Sequence, residues 1–115
     1  MRPDEVREFA LNLPNATESF PFRPDLPVFK VSGKVFGILT APGQPDPSIT
    51  VKSDPEDARA LCAQFGGISP GYHMSKKHWV TVVLDADVPS EVIEELVTAS
   101  FDLVRPRRPR VPQAV

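Results

Sequence analysis

Proline partitions this chain. Fourteen of the 115 residues are proline, and they fall between periodic segments or in the C-terminal stretch. The pyrrolidine ring fixes φ and removes a hydrogen-bond donor, so proline opens helices and interrupts strands. The prolines read as loop and helix-start punctuation, and the regular elements lie between them.

Residues 3–13 read as a first helix. Pro3 suits a first helical position, and Asp4 and Glu5 favour the positive end of the helix dipole. Val6, Phe9, Ala10 and Leu13 form one apolar face, and Pro14 ends the segment. Residues 15–27, with Pro21, Pro24 and Pro27, read as irregular. Residues 28–32 and 34–40 read as strands joined by a tight turn at Gly33. A proline-rich loop follows over 41–47. Residues 48–52 then alternate, with Ile49 and Val51 inward and Thr50 and Lys52 outward.

A second helix opens at Asp54-Pro55, a good N-cap followed by a good first residue. Ala58, Leu61, Cys62 and Phe65 make its apolar face, and Gly66-Gly67 stops it. Residues 79–84 read as a strand, with Val80, Val82 and Leu84 on one side and Trp79, Thr81 and Val83 on the other. A third helix runs from about Pro89 to Val104, with Ile93, Leu96, Val97, Phe101 and Val104 on one face. Strand runs joined by short turns predict an α+β fold, an antiparallel β-sheet with helices packed on one face.

Residues 1–105 read as a single domain and 106–115 as an Arg/Pro-rich C-terminal tail, expected to be extended or mobile. An apolar share of 41% and a charged share of 24% suit one ordinary core. No stretch approaches the ~18 apolar residues of a membrane span, and the first residues lack an apolar run of signal length. Cys62 is the only cysteine, which leaves no internal disulfide or thiolate metal cage and makes it a small core residue. A cytoplasmic protein without a membrane partner is expected, and the oligomeric state leaves no trace in the sequence.

The net charge of −2 does not mark the whole chain as a nucleic-acid binder, but it conceals a segregation. Residues 26–53 carry Lys30, Lys34 and Lys52 against Asp46 alone. Residues 66–83 carry Lys76 and Lys77 and no acid. Residues 84–104 carry Asp85, Asp87, Glu91, Glu94, Glu95 and Asp102 and no base. If the helices cover one side of the sheet, the other side shows Lys30, Thr50, Lys52, Trp79 and Thr81. Aromatics among lysines suit phosphate contacts and stacking on bases or sugars. Solvated helix faces and solvated strand lysines are the plainer account of the same pattern.

Residues 70–79, Pro-Gly-Tyr-His-Met-Ser-Lys-Lys-His-Trp, concentrate both histidines, the only tyrosine and the only tryptophan. His73 and His78 stand five apart across a turn with no acid beside them, which is not metal-ligand spacing. Ser75 next to His73 has no nucleophile-elbow glycines around it, and no Gly-rich phosphate loop occurs. The chain is expected to be non-enzymatic, with no cofactor and no metal. Asp4, Glu5 and Glu8 at a helix start read as dipole partners. Tyr72, His73, Lys76, Lys77, His78 and Trp79 join Lys30, Lys34 and Lys52 as candidate nucleic-acid or ligand contacts.

This segment resembles the MmcQ/YjbR family of small bacterial proteins, through Pro-Gly-Tyr-His-Met-x-Lys-Lys-His-Trp. Supporting matches are Leu11-x-Leu13-Pro14, Phe20-Pro21-Phe22, Val28-Phe29-Lys30-Val31, Gly33-Lys34-Val35-Phe36, Val51-Lys52-x-Asp54-Pro55 and Ser100-Phe101-Asp102-Leu103-Val104. The resemblance implies a frataxin-like (CyaY-like) fold, also described as a double-wing DNA-binding motif, and brings no catalytic residues. Ser75 and Val80 stand where the family often has Asn, and Phe101 where Tyr is common. Without those amides, contacts to the DNA backbone are expected rather than base readout. The alternative expectation is a protein- or small-ligand-binding module on the same face.

Overall fold

The structure is a computed structural model that describes residues 1–40, 46–71 and 77–106. The chain runs α1 (Pro3–Leu11), β1 (Ala16–Ser19), β2 (Val28–Val31), β3 (Lys34–Leu39), β4 (Ser48–Lys52), α2 (Pro55–Gln64), β5 (Ile68–Pro70), β6 (Trp79–Val83) and α3 (Ser90–Val104). The strands form one antiparallel sheet in the order β1-β2-β3-β4-β6-β5. This is the expected α+β architecture.

The apolar periodicities meet in one core. Phe29, Val31, Phe36, Leu39, Ile49, Val51, Ile68, Val80 and Val82 from the sheet cluster with Val6 and Ala10 of α1, Ala58 of α2, and Ile93, Val97, Phe101 and Val104 of α3. The Phe36 ring stands edge-on to Phe101, with centroids 5.4 Å apart at 84°, the arrangement that aromatic quadrupoles favour. Its inward position depends on a β-bulge. Phe29 pairs with Gly37 and Lys30 with Val35, which leaves Phe36 as the extra residue.

The hairpin between β2 and β3 turns on two residues, Ser32 (φ 51°) and Gly33 (φ 79°). Two successive positive φ angles match the twist of the flanking strands. Helix α2 begins as its sequence predicts, with Asp54 Oδ1 accepting from the Glu56 N–H at 3.0 Å.

Several boundaries differ from the sequence reading. Helix α1 stops at Leu11, two residues early, and Leu13 packs against the core from the turn beyond. The segment expected to be irregular contains β1, an edge strand with little alternation, which pairs with β2 while Glu18 takes a two-pronged ion pair from Arg7. Strand β5 is likewise a short edge strand. Its Pro70 is tolerated because an edge needs no donor on its outer side. Cys62 is half-buried at the margin of the core rather than inside it, and burial still pushes its thiol pKa up.

Helix α2 ends at Gln64, and Gly66 and Gly67 act beyond that end. Their N–H groups donate to the Asp87 carboxylate at 2.8 and 2.7 Å. These backbone bonds hold the Asp87 carboxyl below its ordinary range.

Candidate nucleic-acid interface

Strand register decides which side chains share the helix-free side of the sheet. Side chains alternate along a strand, and directly paired residues lie on the same face. Ile49 and Val51 point into the core, so Ser48, Thr50 and Lys52 point away from it. Partners across the ladders carry that assignment over the whole sheet.

One row contains a residue from every strand: Ser19, Val28, Ile38, Thr50, Thr81 and Ser69. Within it the Thr50 and Thr81 hydroxyls lie 3.0 Å apart in a hydrogen bond. The parallel row nearer the β2–β3 turn holds Thr17, Lys30 and Val35 on one side and Lys52 and Trp79 on the other. Neither row includes a carboxylate. Lys30, Lys52 and Trp79 are half-buried, as expected of lysines whose stems lie along the surface with the ammonium groups outermost and of an indole lying beside them. The strands bearing the two lysines are separated by β3, about 10 Å apart at ordinary strand spacing.

Between the two halves of the lysine row the β3 and β4 backbones part. Ser100 of α3 fills the gap: its hydroxyl donates to the Phe36 carbonyl at 2.6 Å and accepts the Lys52 N–H at 2.8 Å. Ser100 is fully buried. It therefore replaces a ladder bond that the bulge removes, and it fixes the backbone that carries Lys52.

Trp79 is held differently. It lies on β6, which is inside the sheet rather than at its edge. The Gly71 N–H donates to the Trp79 carbonyl at 2.7 Å. A Cβ on Gly71 would stand 2.6 Å from the Trp79 Cβ, so only glycine permits this approach.

The predicted contact residues separate into groups. Lys30, Lys52 and Trp79 come together with Thr50 and Thr81 on the helix-free face. Lys34 pairs with Val31, whose side chain is in the core, and so falls in the opposite register at the hairpin end. Lys77 and His78 are exposed just before β6, where they line a groove between α2 and the β5–β6 edge. Tyr72, His73 and Lys76 lie outside the described residues, as does Ser75.

Among the described residues every ion pair joins an arginine to a carboxylate, and Lys30, Lys34, Lys52 and Lys77 take part in none. Asp4 and Glu5, the acids at the start of α1, are engaged by Arg2. Sequence reasoning used Phe20-Pro21-Phe22 only as a family match and gave no contact role to Phe20 and Phe22, which follow β1 with 47% and 64% of their surface exposed. Two exposed aromatics flanking a proline were a legible signal. Arg59, on the groove side of α2, carried no signal, because one arginine in a helix looks like any solvated position.

Comparison with known proteins places this architecture. The profile of the YjbR family matches residues 11–103. The uncharacterized protein YbdF of Escherichia coli O157:H7 is 35% identical over 101 residues, covering 88% of this chain and 82% of its own. The uncharacterized protein YjbR of Escherichia coli K12 is 30% identical over 101 residues, covering 88% and 85%. A crystal structure of a Deinococcus radiodurans protein with a DUF419 domain superposes with a TM-score of 0.81 at 38% identity, covering 90% of this chain and 80% of that one. A Pseudomonas syringae crystal structure gives 0.80 at 28% identity, covering 91% and 100%. With profile, relatives and solved folds in agreement over nearly the whole domain, the chain belongs to the YjbR family.

Proposed function

We propose that this protein is a non-enzymatic DNA-binding or regulatory domain that engages the nucleic-acid backbone through its helix-free sheet face. The observation that carries this reading is the carboxylate-free row of Lys30, Lys52 and Trp79, partly exposed side chains with no ion pair on either lysine. Lys30 and Lys52 take phosphates. Trp79 stacks on a base or sugar. Phe20 and Phe22, exposed beyond Ser19 at the end of β1, extend the stacking surface. Lys77 and His78 add contacts at the β6 end.

The acids support the same orientation. Glu91, Glu94, Glu95 and Asp102 line the surface of α3 next to Phe9 of α1, on the far side of the sheet. A polyanion is therefore attracted to one face and repelled from the other.

Fluorescence anisotropy with labelled duplex and single-stranded DNA, titrated over salt, tests the proposal. Each phosphate neutralised contributes about −0.9 to the slope of log K against log salt on duplex, and about −0.7 on single strands. The expected duplex slope is about −2 to −3, falling by about 2 in the Lys30→Ala/Lys52→Ala variant. No binding at low salt, or a slope unmoved by the double substitution, removes this reading.

A further inference from the structure

The geometry points to a second binding site, for a small organic anion with an apolar body and a carboxylate or phosphate head, in the groove between α2 and the β5–β6 edge. This site shares only Lys77 and His78 with the sheet-face reading. It lies on the helix side of the sheet, and Val80, the core-facing neighbour of Trp79, forms part of its floor.

The groove has a volume of about 660 Å³, within the range of small-molecule sites. Its floor is apolar: Pro55, Ala58 and Cys62 from α2, and Pro70 and Val80 from the strands. Its polar lining is Arg59, Lys77 and His78, with no carboxylate among the described lining residues. An apolar floor with a few convergent donors on one side is the form a site for an amphipathic anion takes.

Arg59 strengthens the argument. The other described arginines all hold acids: Arg2 with Asp4 and Glu5, Arg7 with Glu18, Arg23 with Asp25, and Arg105 with Asp102. Arg59 holds none, although Glu56 sits three residues before it, in reach for an (i, i+3) pair. Asp54 and Asp57 face a separate groove toward α3, while Arg59 shares its side with Pro55, Ala58 and Cys62, at the spacing of one helix face. Two cations, Arg59 and Lys77, with the His78 imidazole beside the same apolar hollow, leave a charge that a bound anion would complete.

The probes are phenyl phosphate, octanoate, inorganic phosphate and 1-octanol, titrated separately against the full chain. Amide chemical shifts and the alkylation rate of Cys62, the only cysteine, report occupancy. Phenyl phosphate, octanoate or both are expected to shift Arg59, Cys62 and Val80 and to slow alkylation, and comparing the two identifies the preferred head group. Arg59→Ala should weaken that binding by about tenfold or more, as expected for a lost charge-assisted bond. Lys77→Ala provides a second variant of an exposed residue. The proposal is overturned if neither organic anion binds, if 1-octanol binds as well as octanoate, if inorganic phosphate binds as well as phenyl phosphate, or if both substitutions leave binding unchanged. Duplex binding should survive Arg59→Ala, and anion binding should survive Lys30→Ala/Lys52→Ala, so the two readings fail separately.

Discussion

Ser100 shows how much a single hydroxyl can settle. It sits among apolar neighbours on α3 and satisfies both the Phe36 carbonyl and the Lys52 N–H where the sheet ladder is interrupted. Ser100→Ala leaves two buried backbone groups without partners, at a cost of about 1–3 kcal/mol. The expected outcome is a lower urea midpoint with an unchanged m-value; an unaltered midpoint would show that the gap is satisfied in another way. Gly71 is a steric counterpart. Gly71→Ala forces a Cβ against Trp79, and a loss of about 1–3 kcal/mol is expected, accompanied by a shift in tryptophan emission. Asp87 adds a pH-dependent contact. Its carboxyl is held below the ordinary 3.8 by the Gly66 and Gly67 N–H groups. Its contribution is therefore complete above that value and fades as pH falls through the lower folded-state one. Stability curves of wild type and Asp87→Asn should differ most at neutral pH and converge in acid; a constant gap down to the lowest pH would refute the assignment.

At the scale of elements, legibility followed periodicity. The three helices and strands β2, β3, β4 and β6 could be read because each is long enough to repeat an apolar spacing. Their faces were also correct: Val80, Val82 and Leu84 are buried, while Trp79, Thr81 and Val83 are half-exposed. The edge strands β1 and β5 could not be read. Four residues of Ala-Thr-Glu-Ser and three of Ile-Ser-Pro carry too little pattern, and they are strands only because β2 and β6 offer them an edge. The bulge at Phe36 was hidden for a related reason. It is an agreement between two strands and a helix, and it moves one aromatic to the core without changing the local composition. The same limit applies to the candidate sites. That Lys30, Lys52, Thr50, Thr81 and Trp79 share a face followed from alternation. That Lys34 falls on the other register, and that Lys77 and His78 line a groove with Arg59, required the pairing itself.

Across the whole molecule, charge and architecture are arranged together. The acids of α3 sit on one side of a sheet whose other side carries lysines and no carboxylate on its two central rows. Among the described residues the arginine ion pairs lie at or near the surface and each contributes little to stability, which leaves Lys30, Lys34, Lys52, Lys77 and Arg59 as the uncommitted cations. The proposed nucleic-acid face and the proposed anion groove lie on opposite sides of β6, whose alternation sends Trp79 one way and Val80 the other. The central claim is that DNA meets the helix-free face, and amide chemical-shift mapping with a short DNA duplex at low salt tests it most directly. Shifts concentrated at Thr17, Lys30, Val35, Lys52, Trp79 and Thr81, with α3 unmoved from Glu91 to Asp102, are the predicted result. Shifts centred on α3, or none at any DNA concentration, would contradict it.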